Sequence, residues 1–580
     1  MTTTTKTHQD VTDDLDRVVH ARIAQLTRGL SPETIVGSYL DWLIHLAASP
    51  GKQQRLIEKA LEQWSRLALW AMSPAARAGA PCIEPLPQDR RFREPSWQQW
   101  PFNVIYQAFL LQQQWWHNAT TGVRGVDRHH EQVATFVTRQ LLDMVSPSNL
   151  LWTNPEALDK TARSGGTNLL QGARNWWEDA MRLVSNQPPV GADAFAPGRN
   201  VAVTPGKVVF RNRLIELIQY APASETVFAA PVLIVPSWIM KYYILDLSPS
   251  NSLVKYLVDH GHTVFIVSWK NPDASDRDLG MDDYLRSGVQ AAIDAVATIV
   301  PQRRIQAVGY CLGGTLLAIA AAAMARADDT RLNTLTLLAT EVDFEQPGEL
   351  SLFIDESQLT YLEDMMWEKG YLDGKQMAGA FALLNSRDLI WSRIVHDYVM
   401  GTRQPMTDLM AWNADATRMP YRQHSEYLRS LYLNNDLADG HYLVHGRPIA
   451  LTDIRAPIFS VATQRDHVSP WRSVYKVHLL TDTQVTFCLT SGGHNVGVVS
   501  PPGPGVPRSY QLTTRASEDK YIDPDTWLTT TPSHEGSWWP TWESWLREHA
   551  GERVAPPAFH VPDSPYAPIA DAPGQYVLMP

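Results

Sequence analysis

Three cysteines in 580 residues, Cys82, Cys311 and Cys488, cannot build a disulfide framework, and none stands at the paired spacing of a metal site. No metal is expected, and a reducing, cytoplasmic compartment is. Basic residues are in deficit: 50 Lys and Arg against 61 Asp and Glu leave a formal net charge of −11. That balance argues against nucleic acid or anionic membrane as a partner, while leaving room for a local basic pocket around a phosphorylated substrate. Long apolar runs are missing too. The longest, Leu316 to Ala325, holds about ten residues, against the roughly 20 that span a bilayer, and predicts no transmembrane segment. The opening MTTTTKTHQDVTDD has no apolar core after its first lysine, so no secretory leader is expected. The chain also lacks internal repeats and low-complexity segments.

What is present is apolar material: 44% of residues are hydrophobic and 19% charged, enough for a large core and too apolar for disorder over most of the length. The length predicts several domains. The 21 tryptophans suit either a large aromatic core or a surface that handles an apolar product.

Two patterns divide the chain. Residues 1–195 read as an N-terminal helical domain. Ile57, Leu61, Trp64 and Ala68 fall at helix spacing between charged residues, and 102–116 and 131–144 behave alike. Gln187-Pro188-Pro189 and the Gly/Ala/Pro-rich stretch to Gly198 read as a linker. From 196 to 580 short apolar runs alternate with helical segments. The runs are 208–210, 214–219, 231–235, 263–269, 305–310, 334–338, 458–463 and 485–489. Near-continuous apolar strands separated by helices predict an α/β domain with a mainly parallel sheet covered on both faces. About 344–453 breaks the rhythm; it is aromatic-rich, mostly helical, and reads as a lid inserted over the sheet's C-terminal edge. The tail from about Pro556 reads as irregular.

The segment RRIQAVGYCLGGTLLAIAAAAMARADD carries Gly309-Tyr310-Cys311-Leu312-Gly313-Gly314 between an apolar strand and a small-residue helix. It has the form of a G-x-S-x-G nucleophile elbow with cysteine in the serine's place. The tight turn demands glycine at 309 and 313 and lifts the Cys311 side chain above the sheet. The helix N-terminus behind it favours a thiolate. Cys82 and Cys488 lie at no such turn and read as buried structural thiols.

On this fold the acid and then the histidine follow the nucleophile, each just past a strand. IFSVATQRDHVSP places Asp466 after one strand, and VTFCLTSGGHNVGVVSPP places His494 after the next. The intervening stretch holds one helix and one strand, as adjacent strand ends require. The predicted catalytic set is Cys311, Asp466 and His494, with His494 as base and Asp466 orienting it. His467 is the competing base. His260, His262, His441 and His445 lack this loop context. The expected oxyanion donors are the backbone N–H groups of Leu312 and of Trp238, on the loop after PVLIV.

Further motifs surround these residues. GRNVAVTPGKVVFRN, LIELIQY, KYYILDLSP, VSWKNPD, GYCLGG, WNADATRMP, DHVSPW, SGGHNVGVVSPP and GSWWPTW run in order from about residue 90 to the C-terminus. Together they resemble the polyhydroxyalkanoate (poly-3-hydroxybutyrate) synthases. The resemblance implies an α/β-hydrolase core with a helical N-terminal domain and a lid, and matches the family's cysteine, aspartate and histidine to Cys311, Asp466 and His494. It implies an acyltransferase that moves (R)-3-hydroxyacyl groups from coenzyme A to the cysteine and on to a growing polyester's hydroxyl. Coenzyme A thioester is then substrate, and no cofactor is implied. A homodimer at the surface of cytoplasmic polyester granules, with phasin-type granule proteins as possible partners, follows from the same resemblance. The chain length resembles the single-subunit synthases, and Tyr310 with the GxCxGG form resembles the class taking short monomers, 3-hydroxybutyryl above all. The chain departs from the family at Pro236-Ser237-Trp238-Ile239-Met240-Lys241, where Pro-Pro-Cys or Pro-Pro-Gln followed by Ile-Asn-Lys is usual. That leaves monomer preference open. An intracellular polyester depolymerase or thioesterase on the same scaffold is the alternative; a granule-coat protein without catalysis would have no use for the triad.

Overall fold

The computed structural model describes residues 8–27, 29–77, 79–86, 89–374, 376, 379, 386, 390–503, 507–559 and 565–580. The apolar runs become strands of one eleven-stranded sheet. In chain order they are β1 (Gly206–Arg211), β2 (Ile215–Tyr220), β3 (Val232–Val235), β4 (Val264–Trp269), β5 (Ile305–Tyr310) and β6 (Leu332–Leu338). There follow β7 (Ile458–Thr463), β8 (Val485–Thr490), β9 (Ser509–Arg515), β10 (Ser533–Glu535) and β11 (Ala570–Asp571). Across the sheet the order is β10-β9-β8-β7-β6-β5-β3-β4-β2-β1-β11. Neighbours from β4 through β8 are parallel. β2 runs against both of its neighbours.

Every residue of β3, β4, β5, β7 and β8 is buried. That is why these segments are apolar without alternation: helices cover both faces, so no side is left for polar residues. All eight expected strands form. The sheet also extends past them, because β9, β10 and β11 pair antiparallel at its two edges. β9 keeps mostly half-exposed residues, a pattern too polar to stand out in the sequence. The tail expected to be irregular supplies β11, paired with β1 through Lys207–Asp571 and Val208–Ala570.

The chain forms two units. The sheet unit takes in Gly191–Ala378 and Thr407–Pro580 together with the stretch up to Gly29; the helical unit takes in Leu30–Val190 and Gly379–Met406. This division differs from the expected one in two stretches. The helix His8–Leu26 belongs with the sheet unit, packing on Glu356–Lys369. There His20 stacks on Tyr361 and its Nδ1 lies 2.8 Å from Asp364. The middle of the expected lid belongs with the helical unit: Asn168 and Asn175 donate to the carbonyls of Val399 (2.9 Å) and Asp397 (2.8 Å), and Arg403 pairs with Asp179 at 2.8 Å. Polar links across more than 200 residues leave no periodic trace in the sequence.

Within the helical unit the principal helices are Pro32–Ala47, Pro50–Ala71, Phe102–Thr120, Arg128–Met144, Pro155–Arg163 and Thr167–Val184. Ser31, Asp127 and Asn154 cap three of them by accepting from free amides of the first turn. Phe92, Trp97, Tyr106, Phe109 and Leu110 form one of its cores.

Candidate active site

The turn at Cys311 is built from close approaches. A Cβ at Gly309 would lie 2.3 Å from the Gly314 Cα, and one at Gly313 would lie 2.3 Å from the Val235 carbonyl oxygen and 2.4 Å from that of Pro236. Only glycine fits at either place. Gly313→Ala should therefore cost more than about 3 kcal/mol, since backbone rather than a movable side chain is in the way; thermal denaturation measures it, and an unchanged Tm would refute the packing.

Cys311 itself has φ +53° and ψ −126°, a conformation that L-residues rarely adopt. The surroundings over-determine it. Its amide donates to Leu338 O at 2.8 Å, and its carbonyl accepts from the amides of Gly314 and Thr315 and from Thr340 Oγ1, at 2.9, 3.2 and 3.2 Å. The helix Leu312–Arg326 starts immediately after, and Cys311 gives it no side-chain cap. The Leu312 amide is thus one of the first-turn donors that a helix cannot satisfy internally.

Asp466 follows β7 and His494 follows β8, and the structure joins them: His494 Nδ1 lies 2.8 Å from Asp466 Oδ2. The other carboxylate oxygen, Oδ1, accepts from the amides of Val468 (2.9 Å) and Ser469 (2.8 Å), while Thr463 Oγ1 donates to Oδ2 at 2.9 Å. Cys311 lies within electrostatic reach of the His494 imidazole. Tyr310 lies against the imidazole at 5.7 Å and donates to Asn495 Oδ1 at 2.6 Å.

The charges of this chain support one another. Burial opposes a charge on Asp466, but His494 and the two amides outweigh it and hold the carboxyl below its usual range. Burial likewise opposes a charge on His494; Asp466 and Cys311 outweigh it and hold the imidazole well above its ordinary value. The stability from Asp466 is thus present above the ordinary aspartate range and is lost as pH falls through its lowered value. That from His494 is present below about pH 6.5 and is lost as pH rises through its raised value. In Asp466→Asn the His494 pKa should drop, followed by NMR titration of the ring; an unmoved pKa would show that Asp466 does not set it.

Trp238 is buried after β3, its ring 5.8 Å from Tyr427 and 5.9 Å from Tyr284, and its indole Nε1 has no hydrogen-bond partner among the described residues. The departing segment 236–241 is also where the remaining lid is fastened. Met240 bridges to Ala416, the Trp412 indole donates to Lys241 O at 2.8 Å, and Asp415 takes both Lys241 Nζ (2.8 Å) and the Tyr243 hydroxyl (2.9 Å).

Among the other candidates, His467 is exposed. His262 is buried 3.3 Å from Glu543. Cys82 and Cys488 are buried, and burial raises both thiols.

Some supporting residues escaped the sequence reasoning. In GSWWPTW, the Trp538 and Trp539 indoles donate to the carbonyls of Gly497 (3.0 Å) and Val498 (2.9 Å), the end of the short helix His494–Val498, and Trp542 donates to Thr336 Oγ1 at 3.0 Å. The motif is the buried support of the His494 helix. Trp538→Phe should cost about 1–3 kcal/mol by leaving a buried carbonyl unpaired and should slow turnover at unchanged substrate affinity; unaltered Tm and kcat would refute that role. Glu341 was also missed: it is buried beside the site in the loop after β6. Only an acidic residue directly past a strand end marked it.

The strand order, the reversed β2 and the turn at Cys311 make this an α/β-hydrolase-fold protein, and the family model for that fold matches residues 230–496. Two models described as the N-terminus of poly-beta-hydroxybutyrate polymerase match 88–257 and 10–52. The chain is 43% identical to the poly(3-hydroxyalkanoate) polymerase of Methylorubrum extorquens, over 90% of this chain and 87% of that one. It is 36% identical to the poly(3-hydroxyalkanoate) polymerase subunits of Rhizobium etli (98% of this chain, 90% of the relative) and Cupriavidus necator (93% and 90%). The chain belongs to the poly(3-hydroxyalkanoate) polymerase family.

Proposed function

We propose that the protein is an acyltransferase that polymerises (R)-3-hydroxyacyl groups, 3-hydroxybutyryl above all, from coenzyme A thioesters through an acyl group carried on Cys311. The observation that carries this reading is the Asp466–His494 pair placed beside Cys311 at the strained turn, with the thiol in the field of the imidazole. His494 takes the thiol proton as sulfur attacks the thioester carbonyl. The Leu312 and Trp238 amides face the developing oxyanion. Coenzyme A leaves with the proton from His494. A hydroxyl, from the growing chain or a second monomer, then gives its proton to His494 and attacks the acyl-cysteine carbonyl; an ester forms and Cys311 regains its proton. Cysteine suits the first step because one thioester replaces another at almost no change in energy. No cofactor enters this scheme.

Water in place of that hydroxyl would make the protein a depolymerase or thioesterase. Family membership and the burial of Cys311 and Asp466 favour the hydroxyl. Purified protein given (R)-3-hydroxybutyryl-CoA should release thiol and yield polymer in step; thiol release with free 3-hydroxybutyrate alone would overturn the reading.

The same reading places the protein as a homodimer on the polyester granule, with phasin-type proteins as neighbours. It is supported by apolar stripes on the helical unit: Ile57, Leu61 and Trp64 on one helix, and Leu170, Trp177 and Val184 on another, are each more than half exposed. No helix among the described residues is long and apolar enough to cross a membrane. Leu61→Asp/Trp64→Asp should leave the protein in the supernatant when granules are pelleted; co-sedimentation at the wild-type level would count against the stripes.

A further inference from the structure

Glu341 is a carboxyl that the proposed reaction does not use. It lies three residues past β6, the strand between the one that delivers Cys311 and the one that delivers Asp466. Its backbone is locked to the elbow: Thr315 Oγ1 donates to Glu341 O at 2.8 Å, and the preceding Thr340 donates to Cys311 O at 3.2 Å. Three residues on, the Phe344 amide donates to Asn435 Oδ1 at 2.8 Å, which ties the loop to the end of the lid helix Leu428–Leu433. The side chain is 3% exposed, and Oε1 has no hydrogen-bond partner among the described residues.

Cys311, Asp466 and His494 lie within electrostatic reach of Glu341, as does Asp343, which Lys476 neutralises at 3.2 Å. From the lid, Tyr427 and Tyr432, whose rings meet edge to face at 5.4 Å, lie in the field of both Glu341 and Cys311. Burial, then Asp466 and Cys311, push the Glu341 carboxyl well above its ordinary range, which favours its protonated form. A buried, neutral, unpaired acid destabilises a fold. A neutral carboxylic acid also both donates and accepts, which matches a hydroxyl, itself a donor and an acceptor.

From this placement we infer that Glu341 is a specificity-determining residue that binds the 3-hydroxyl of the acyl unit carried on Cys311. The inference rests on the acyl-cysteine reading above. The hydroxyl would fill the missing hydrogen bond of Glu341 only when the acyl group is present. A plain acyl thioester would leave it unfilled, and a site built to pair a hydroxyl rejects the analogue that lacks it.

The test is single-turnover acylation of the whole protein by (R)-3-hydroxybutyryl-CoA and by butyryl-CoA, followed by intact mass. Wild type should load the hydroxylated thioester at least about tenfold faster. Glu341→Leu should bring the two rates within roughly threefold of each other, with a Tm at or above that of wild type. Glu341→Gln, which still donates and accepts, should keep the preference. A wild type without preference, a Leu variant that retains it, or a Leu variant with a much lower Tm would each overturn the assignment. A wild type that carries no acyl group on Cys311 would instead overturn the acyl-cysteine reading.

Discussion

Cys311→Ala is expected to release coenzyme A from (R)-3-hydroxybutyryl-CoA no faster than background, a loss of roughly 10⁴-fold or more, while the fold persists. The reason lies in where the thiol stands. The turn holds Cys311 in its strained backbone through main-chain contacts to Leu338, Gly314 and Thr315 and one from Thr340, none of which uses the sulfur. Removing the sulfur therefore leaves the scaffold intact and takes away only the atom to which the acyl group would bond. Thiol release monitored with a chromogenic reagent, beside a melting curve, separates the two effects. Persistent turnover in the alanine variant would mean that another residue carries the acyl group. The two remaining thiols are poor substitutes: Cys488 lies inside β8, and Cys82 is buried within the helical unit.

His494→Gln is expected to lower the rate by about 10²–10⁴-fold, whereas His467→Gln should leave it near that of wild type. The two histidines lie on the loops after neighbouring strands, yet their environments are opposite. His494 sits between Asp466 and Cys311, with its ring covered by Tyr310. His467 is exposed. Glutamine keeps much of the volume of the ring and can still accept from or donate to its neighbours, but it cannot take a proton near neutral pH. The rate of coenzyme A release in the two variants decides the matter. A large loss in His467→Gln alone would reverse the assignment.

Much of this was readable without coordinates. Strands β1 to β8 announce themselves because a sheet covered on both faces needs unbroken apolar segments, and the chain supplies them at the right intervals. The glycines at 309 and 313 mark the elbow because nothing larger fits there. Asp466 and His494 stand out because each directly follows such a segment, in the order the fold imposes. Strands β9 to β11, at the two ends of the sheet, were hidden, since most of their residues are half exposed or exposed and carry no apolar signature.

What the sequence by itself determined was the chemistry available: one thiol in a glycine-bound turn, one acid and one histidine at strand ends, and the motifs of a polymerase family. Only the tertiary structure decided how these are held and what surrounds them. It decided that the tryptophans of GSWWPTW brace the His494 helix, that segment 236–241 is the fastening point of the lid, and that Glu341 is buried unpaired beside Cys311. The physical reason is the same for all three. Each depends on hydrogen bonds, or on a missing one, between residues far apart in the chain, and local periodicity is blind to pairing at that range.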